Sequence, residues 1–149
     1  MMQAVVQEDR TGCGIASVAA LTGQSYRRVR KKAARLGIAV SDERLWSETG
    51  HVRRLLASYG LHAARSERPF RDWTTLPSVA LLAIKWHRRG NRAFWHWVVY
   101  SQGPDGPRVL DSASSIRRPV RTDFGRMRPK WYIEIRAGRG SCGSVTARR

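Results

Sequence analysis

Cysteine is nearly missing from this chain: Cys13 and Cys142 are the only two in 149 residues. Two residues so far apart do not make a disulfide framework. The four histidines, His51, His62, His87 and His96, fall into no HxxxH spacing and no CxxC accompanies them, so neither a metal nor another cofactor is expected. Long apolar runs are missing as well. No stretch approaches the roughly 20 residues that span a bilayer. The start, MMQAVVQEDR, has neither the basic opening nor the apolar segment of a secretory signal peptide. The expected location is the cytoplasm, or outside the cell by a route that needs no such peptide. Acidic residues are also scarce: 11 Asp and Glu face 28 Lys and Arg, a formal net charge of +17. Such a chain attracts polyanions, nucleic acid and acidic protein surfaces alike. A solvated basic surface fits the same composition, so charge alone assigns no function.

What is present suits a globular protein. The hydrophobic fraction is 42% and there are six tryptophans. One domain is expected over residues 1–137, with a basic, disordered tail at 138–149 whose Gly, Ser and Arg content reads as a frayed end. Cys142 lies in that tail.

The first 60 residues read as helical. Cys13 to Leu21 is a run of small and apolar residues suited to a buried helix, closed by Thr22-Gly23. Ser25 is a candidate N-cap for a second helix over Tyr26 to Leu36, with Gly37 as its stop. There Tyr26, Val29, Ala33 and Leu36 form a narrow apolar stripe among basic residues. Thr49 is placed to cap a third helix over Gly50 to Tyr59.

After Gly60 the pattern turns extended. LHAARS, PSVALLAIKW, AFWHWVVYSQ, RVLDSAS and KWYIEIR are the strand candidates. The turn residues RRGN and GPDGP join the second to the third and the third to the fourth, which sets up antiparallel hairpins. Arg117 to Arg128 reads as a long exposed connection. Helices followed by an antiparallel sheet make an α+β domain.

Cys13 falls at the first turn of its helix, where unpaired backbone amides favour a thiolate. A thiolate nucleophile works with an imidazole oriented by a third group. His96 is the imidazole set in the apolar strand FWHWVVY, on one face with Val98 and Tyr100 while Trp95 and Trp97 take the other. Asp111 ends the partner strand, where the hairpin turn brings it near His96. Each residue has a plainer reading too: Cys13 and His96 as core packing, Asp111 as a turn cap.

The order Gln, Cys, His, Asp resembles the papain-like cysteine peptidases, and more closely the C39 family of bacteriocin-processing peptidases. The matching stretches are Gln7 followed by Cys13-Gly-Ile-Ala-Ser-Val-Ala-Ala-Leu, then His96-Trp-Val-Val-Tyr, then Val-Leu-Asp111-Ser-Ala. Two positions depart from the family: Gly12 stands where it has Asp before the cysteine, and Ser112 where it has Pro after the acid. The resemblance implies a papain-like α+β fold, with N-terminal helices packed on a C-terminal antiparallel sheet. It implies that Cys13 attacks, His96 serves as base and then acid, and Asp111 orients His96. It gives the oxyanion to the Gln7 side chain and the Cys13 amide. Gly12, Trp95 and Trp97 are the candidate substrate contacts. A free-standing peptidase is expected, cleaving a peptide or protein that is acidic or carries a double glycine. The residues also leave open another acyl transfer on the same scaffold, deamidation or transglutamination, and a non-catalytic module binding nucleic acid or protein.

Overall fold

A computed structural model describes residues 2–138. The tail residues 139–149, with Cys142, lie outside the described residues. Three helices come first: α1 (Cys13–Thr22), α2 (Tyr26–Arg35) and α3 (Gly50–Ser58). Helix α1 has no polar face, and every residue from Cys13 to Ala20 is buried, so it forms the centre of the helical layer. Gly23, with φ +70°, ends it in the left-handed conformation that glycine adopts without strain. The Ser25 hydroxyl caps α2 by accepting from the Arg28 amide, and only Tyr26, Val29 and Ala33 of that helix are buried. Gly14 sets the approach of α1 to its neighbours. A Cβ there would stand 2.9 Å from Val52 Cγ2 and 3.2 Å from the Leu45 carbonyl.

Seven strands follow: β1 (Leu61–Ala63), β2 (Arg68–Pro69), β3 (Val79–Arg89), β4 (Arg92–Gly103), β5 (Gly106–Leu110), β6 (Val120–Arg121) and β7 (Trp131–Ala137). They form one antiparallel sheet in the order β1-β7-β3-β4-β5-β6, and β2 also pairs with β7. The chain is thus α+β, as its pattern predicts. Strand β1 keeps only the first half of LHAARS, and β2 and β6 carry no sequence period because each has two residues. The Arg117–Arg128 stretch is mostly exposed, as its composition suggests, but it is not without structure. It contains β6 and a 3-10 turn at Phe124–Arg126, and Phe124 packs against the core.

Both sheet faces are covered, which explains the continuous apolar run of β3. Leu81, Ala83, Trp97, Val99 and Ile133 face the helices. Ala80, Leu82, Ile84, Val98 and Tyr100 face a second cluster closed by Leu76 and Met127, with Trp73 and Phe124 packed on it. The β3–β4 ladder is regular from Val79 to Ile84 and resumes at His87 opposite Phe94. The intervening bulge holds Lys85 at φ +53°, a left-handed backbone that non-glycine residues seldom adopt. Among the described residues no helix is long and apolar enough to cross a membrane.

Candidate active site

The site forms where β4 outruns its neighbour. Strand β5 stops pairing at Leu110, opposite Val99, so the β4 edge below that point is open on one side. Two other segments take up the free amides. The Trp95 N–H donates to the Trp46 carbonyl at 3.0 Å. The Trp97 N–H donates to Cys13 Sγ at 3.5 Å. The first residue of α1 is therefore docked on the strand that carries His96, and Cys13 is only 4% exposed.

His96 and Asp111 meet across the end of the same ladder. Nε2 of the imidazole lies 2.7 Å from Asp111 Oδ1. Because a carboxylate only accepts, Nε2 carries the proton, and Nδ1 is the nitrogen left for the Cys13 sulfur. Burial opposes a charge on this ring. The hydrogen bond to Asp111 and the pull of the Cys13 sulfur outweigh it and raise the imidazole from 6.5 to about 9. Asp111 is fully buried. Burial alone would raise its carboxyl, but His96, the Ala113 amide and Arg121 hold it at about 2.

Arg121 is the residue that sequence reasoning missed. Its Nη1 donates to Asp111 Oδ2 at 2.9 Å, and its Nη2 to Asp123 Oδ2 at 2.6 Å. The bonds to Asp123 and Asp111 raise the guanidinium above its ordinary value. Pairing of β6 with β5 places it, since Arg121 sits opposite Val109, two residues before Asp111. In sequence it is one arginine of a basic run. The nearest signal is Asp123, which lies two residues on and pairs with it.

Gln7 reaches the border of the site. Its backbone amide donates to the Ser112 carbonyl at 2.9 Å, and its Oε1 accepts from the Ser112 hydroxyl at 2.8 Å. Ser112, where the resembled family has proline, thus ties Gln7 to the residue after Asp111. The Gln7 Nε2 donates to the carbonyls of Asp9 at 2.9 Å and Arg10 at 3.2 Å. The Asp9 carbonyl also accepts from the Gly12 amide at 3.0 Å, so the carboxamide lies beside the residue that precedes Cys13. Both its hydrogens are engaged in this turn. The amide of Cys13 opens α1 and has no acceptor among the described residues.

The three expected substrate contacts are buried. Trp97 is wholly buried and Trp95 is 6% exposed. They stack edge-to-face with each other and with Trp131, and the Trp97 indole N–H donates to the Leu45 carbonyl at 2.9 Å. Period-two alternation turns both rings to the helical side, away from the imidazole. Gly12 is buried as well, and a Cβ there would overlap the Tyr26 hydroxyl. That hydroxyl donates to Asp9 Oδ2 at 2.6 Å, and burial together with this carboxylate raises the Tyr26 pKa. Gly12 leaves room for the Tyr26 hydroxyl.

The chain is similar to a double glycine motif protease from an AMS/PCAT transporter, solved in complex with its leader peptide. The TM-score is 0.58 at 16% identity, over 92% of each chain. The class is therefore an α+β fold of papain-like type, as seen in a double-glycine peptidase. No family model and no curated relative matches the sequence.

Proposed function

We propose that this protein is a cysteine peptidase with Cys13 as nucleophile, His96 as base and acid, and Asp111 as the orienting acid. The observation that carries the reading is the position of one imidazole between a buried carboxylate and the sulfur of a helix-start cysteine. The Cys13 sulfur adds to a peptide carbonyl carbon, and the electron pair moves to the carbonyl oxygen. Collapse of that adduct breaks the C–N bond, and His96 delivers its proton to the departing amine. Water then adds to the thioester with His96 taking a proton, which returns the thiol and the free acid.

The developing oxyanion needs donors aimed at it before the reaction begins. The unpaired Cys13 amide is one. Gln7 supplies the second by giving up its longer, exposed bond to the Arg10 carbonyl. Arg121 acts through Asp111 as a positioning residue, because it fixes the carboxylate oxygen that does not serve His96. The neighbouring fold's double-glycine specificity extends here to a peptide cut after Gly-Gly. The test is incubation of the full chain with glycine-rich peptides, read by mass spectrometry beside Cys13→Ala. Cleavage lost in the variant supports the reading; an alkylation rate at Cys13 equal to that of a free thiol, indifferent to His96, overturns it.

A further inference from the structure

The outer face of the sheet, opposite the helices, carries two adjoining cavities that share Arg121 and Arg126. The first, about 670 Å³, is walled by Arg117, Arg118, Arg121 and Arg126 around Ile116 and Val120. The second, about 380 Å³, adds Lys85, Arg128 and Lys130. Both have the size of ligand pockets. Asp123 is the one carboxylate in either lining, and Arg121 already holds it at 2.6 Å. Arg117, Arg118, Arg128 and Lys85 have no ion-pair partner among the described residues. Unpaired cations gathered in a concavity repel one another and favour an anionic guest.

The cavities adjoin the candidate site. Arg121, which lines both, bonds Asp111. Ile84 lines the second and is the direct cross-strand partner of His96, a pairing that sets Cβ atoms roughly 5 Å apart. The bulge at Lys85 breaks the strand beside that position and turns the lysine out to solvent.

We propose that this double cavity docks an acidic stretch of the peptide substrate. Its Asp or Glu carboxylates pair with Arg117, Arg118 and Arg128, and an apolar side chain rests on Val120. The word substrate rests on the peptidase reading above; the binding of an acidic peptide does not. Three features favour a peptide over a nucleic acid. Val120 is 42% exposed in the middle of the basic lining, an apolar foothold that suits a side chain. The Trp86 ring, the aromatic of the second cavity, has Lys130 Nζ 4.7 Å from its centroid, so that face is not open for a base to stack on. Strand β6 ends the sheet order, so one edge of it is free to pair with an extended main chain.

The test is fluorescence anisotropy of the full chain with labelled hexaglutamate, hexaglutamine and hexathymidylate. The variants are Arg117→Glu/Arg118→Glu in the cleft and Lys31→Glu/Arg35→Glu on α2, all exposed positions that make equal changes in net charge. If the cleft reversal fails to fold, Arg117→Gln/Arg118→Gln takes its place, set against Lys31→Gln/Arg35→Gln so that the change in net charge stays equal. The expected result is hexaglutamate affinity at least about tenfold weaker in the cleft variant and within about twofold in the α2 variant. Hexaglutamine does not bind, and hexathymidylate responds alike to both. Equal weakening of hexaglutamate by the two variants would reduce the effect to net charge and overturn the proposal. Selective loss of hexathymidylate from the cleft variant would assign the cleft to nucleic acid and overturn it as well. Iodoacetamide labelling of Cys13 in the wild-type chain, run beside these titrations, separates the two readings. Cleft-dependent hexaglutamate binding beside an inert Cys13 keeps the cleft and removes the peptidase, and a reactive Cys13 with no cleft dependence does the reverse.

Discussion

Arg121 and His96 hold the two oxygens of one buried carboxylate: Arg121 takes Asp111 Oδ2 at 2.9 Å while His96 takes Oδ1 at 2.7 Å. The arginine shares the charge that stabilises the imidazolium. Removing that cation in Arg121→Gln moves the His96 titration above its value of about 9, and Arg121→Lys brings it back. The imidazole C–H resonances followed against pH read this directly. An unmoved titration with only a lower melting temperature would reduce Arg121 to a tie for β6.

Reactivity at Cys13 tests the pairing of sulfur and imidazole. Iodoacetamide is expected to modify Cys13 at pH 7 faster than N-acetylcysteine, despite its burial, and His96→Ala to slow it by about tenfold or more. Peptide mapping keeps Cys142 apart from the measurement.

The stability of the domain follows the same pair. His96 is raised, so its contribution is complete below about 6.5 and is lost as pH climbs through about 9. Asp111 is lowered, so its contribution is present above 3.8 and is lost as pH falls through about 2. Melting temperature against pH is expected to show a plateau from about pH 4 to 7, falling on both sides. Asp111→Asn loses this dependence, at a cost on the order of 3 kcal/mol for a buried pair left incomplete.

Gln7 is expected to act on turnover and not on substrate affinity. Gln7→Ala lowers kcat by about 10²-fold at unchanged KM if its amide serves the oxyanion. Ser112→Ala removes the bond to Gln7 Oε1 while leaving the amide in place, so its effect on kcat is the smaller. Equal losses in the two variants would make Gln7 a structural tether.

Gly12→Ala is expected to destabilise by about 1–3 kcal/mol, because the new methyl meets the Tyr26 hydroxyl and ring. In a Tyr26→Phe background part of that cost disappears, since the hydroxyl is gone. Urea unfolding of the four proteins of this cycle measures the coupling.

The sequence by itself determined the elements whose signals are local. Helix α1 follows from its small apolar run, α2 from the Ser25 cap and its narrow stripe, and the β4–β5 hairpin from GPDGP. With the hairpin came the approach of Asp111 to His96, because a turn sets register over a few residues. Tertiary structure decided the rest. Two-residue β6 has no period to read, yet its pairing beside β5 selects Arg121 from a run of like residues and gives it to Asp111. The burial of Trp95 and Trp97 is not legible in the sequence, because alternation tells which side a residue takes, not what covers that side. Docking of Cys13 on the open edge of β4, and the tie of Gln7 to Ser112, depend on contacts between segments far apart in the chain. Such contacts arise from packing, and no local propensity encodes them.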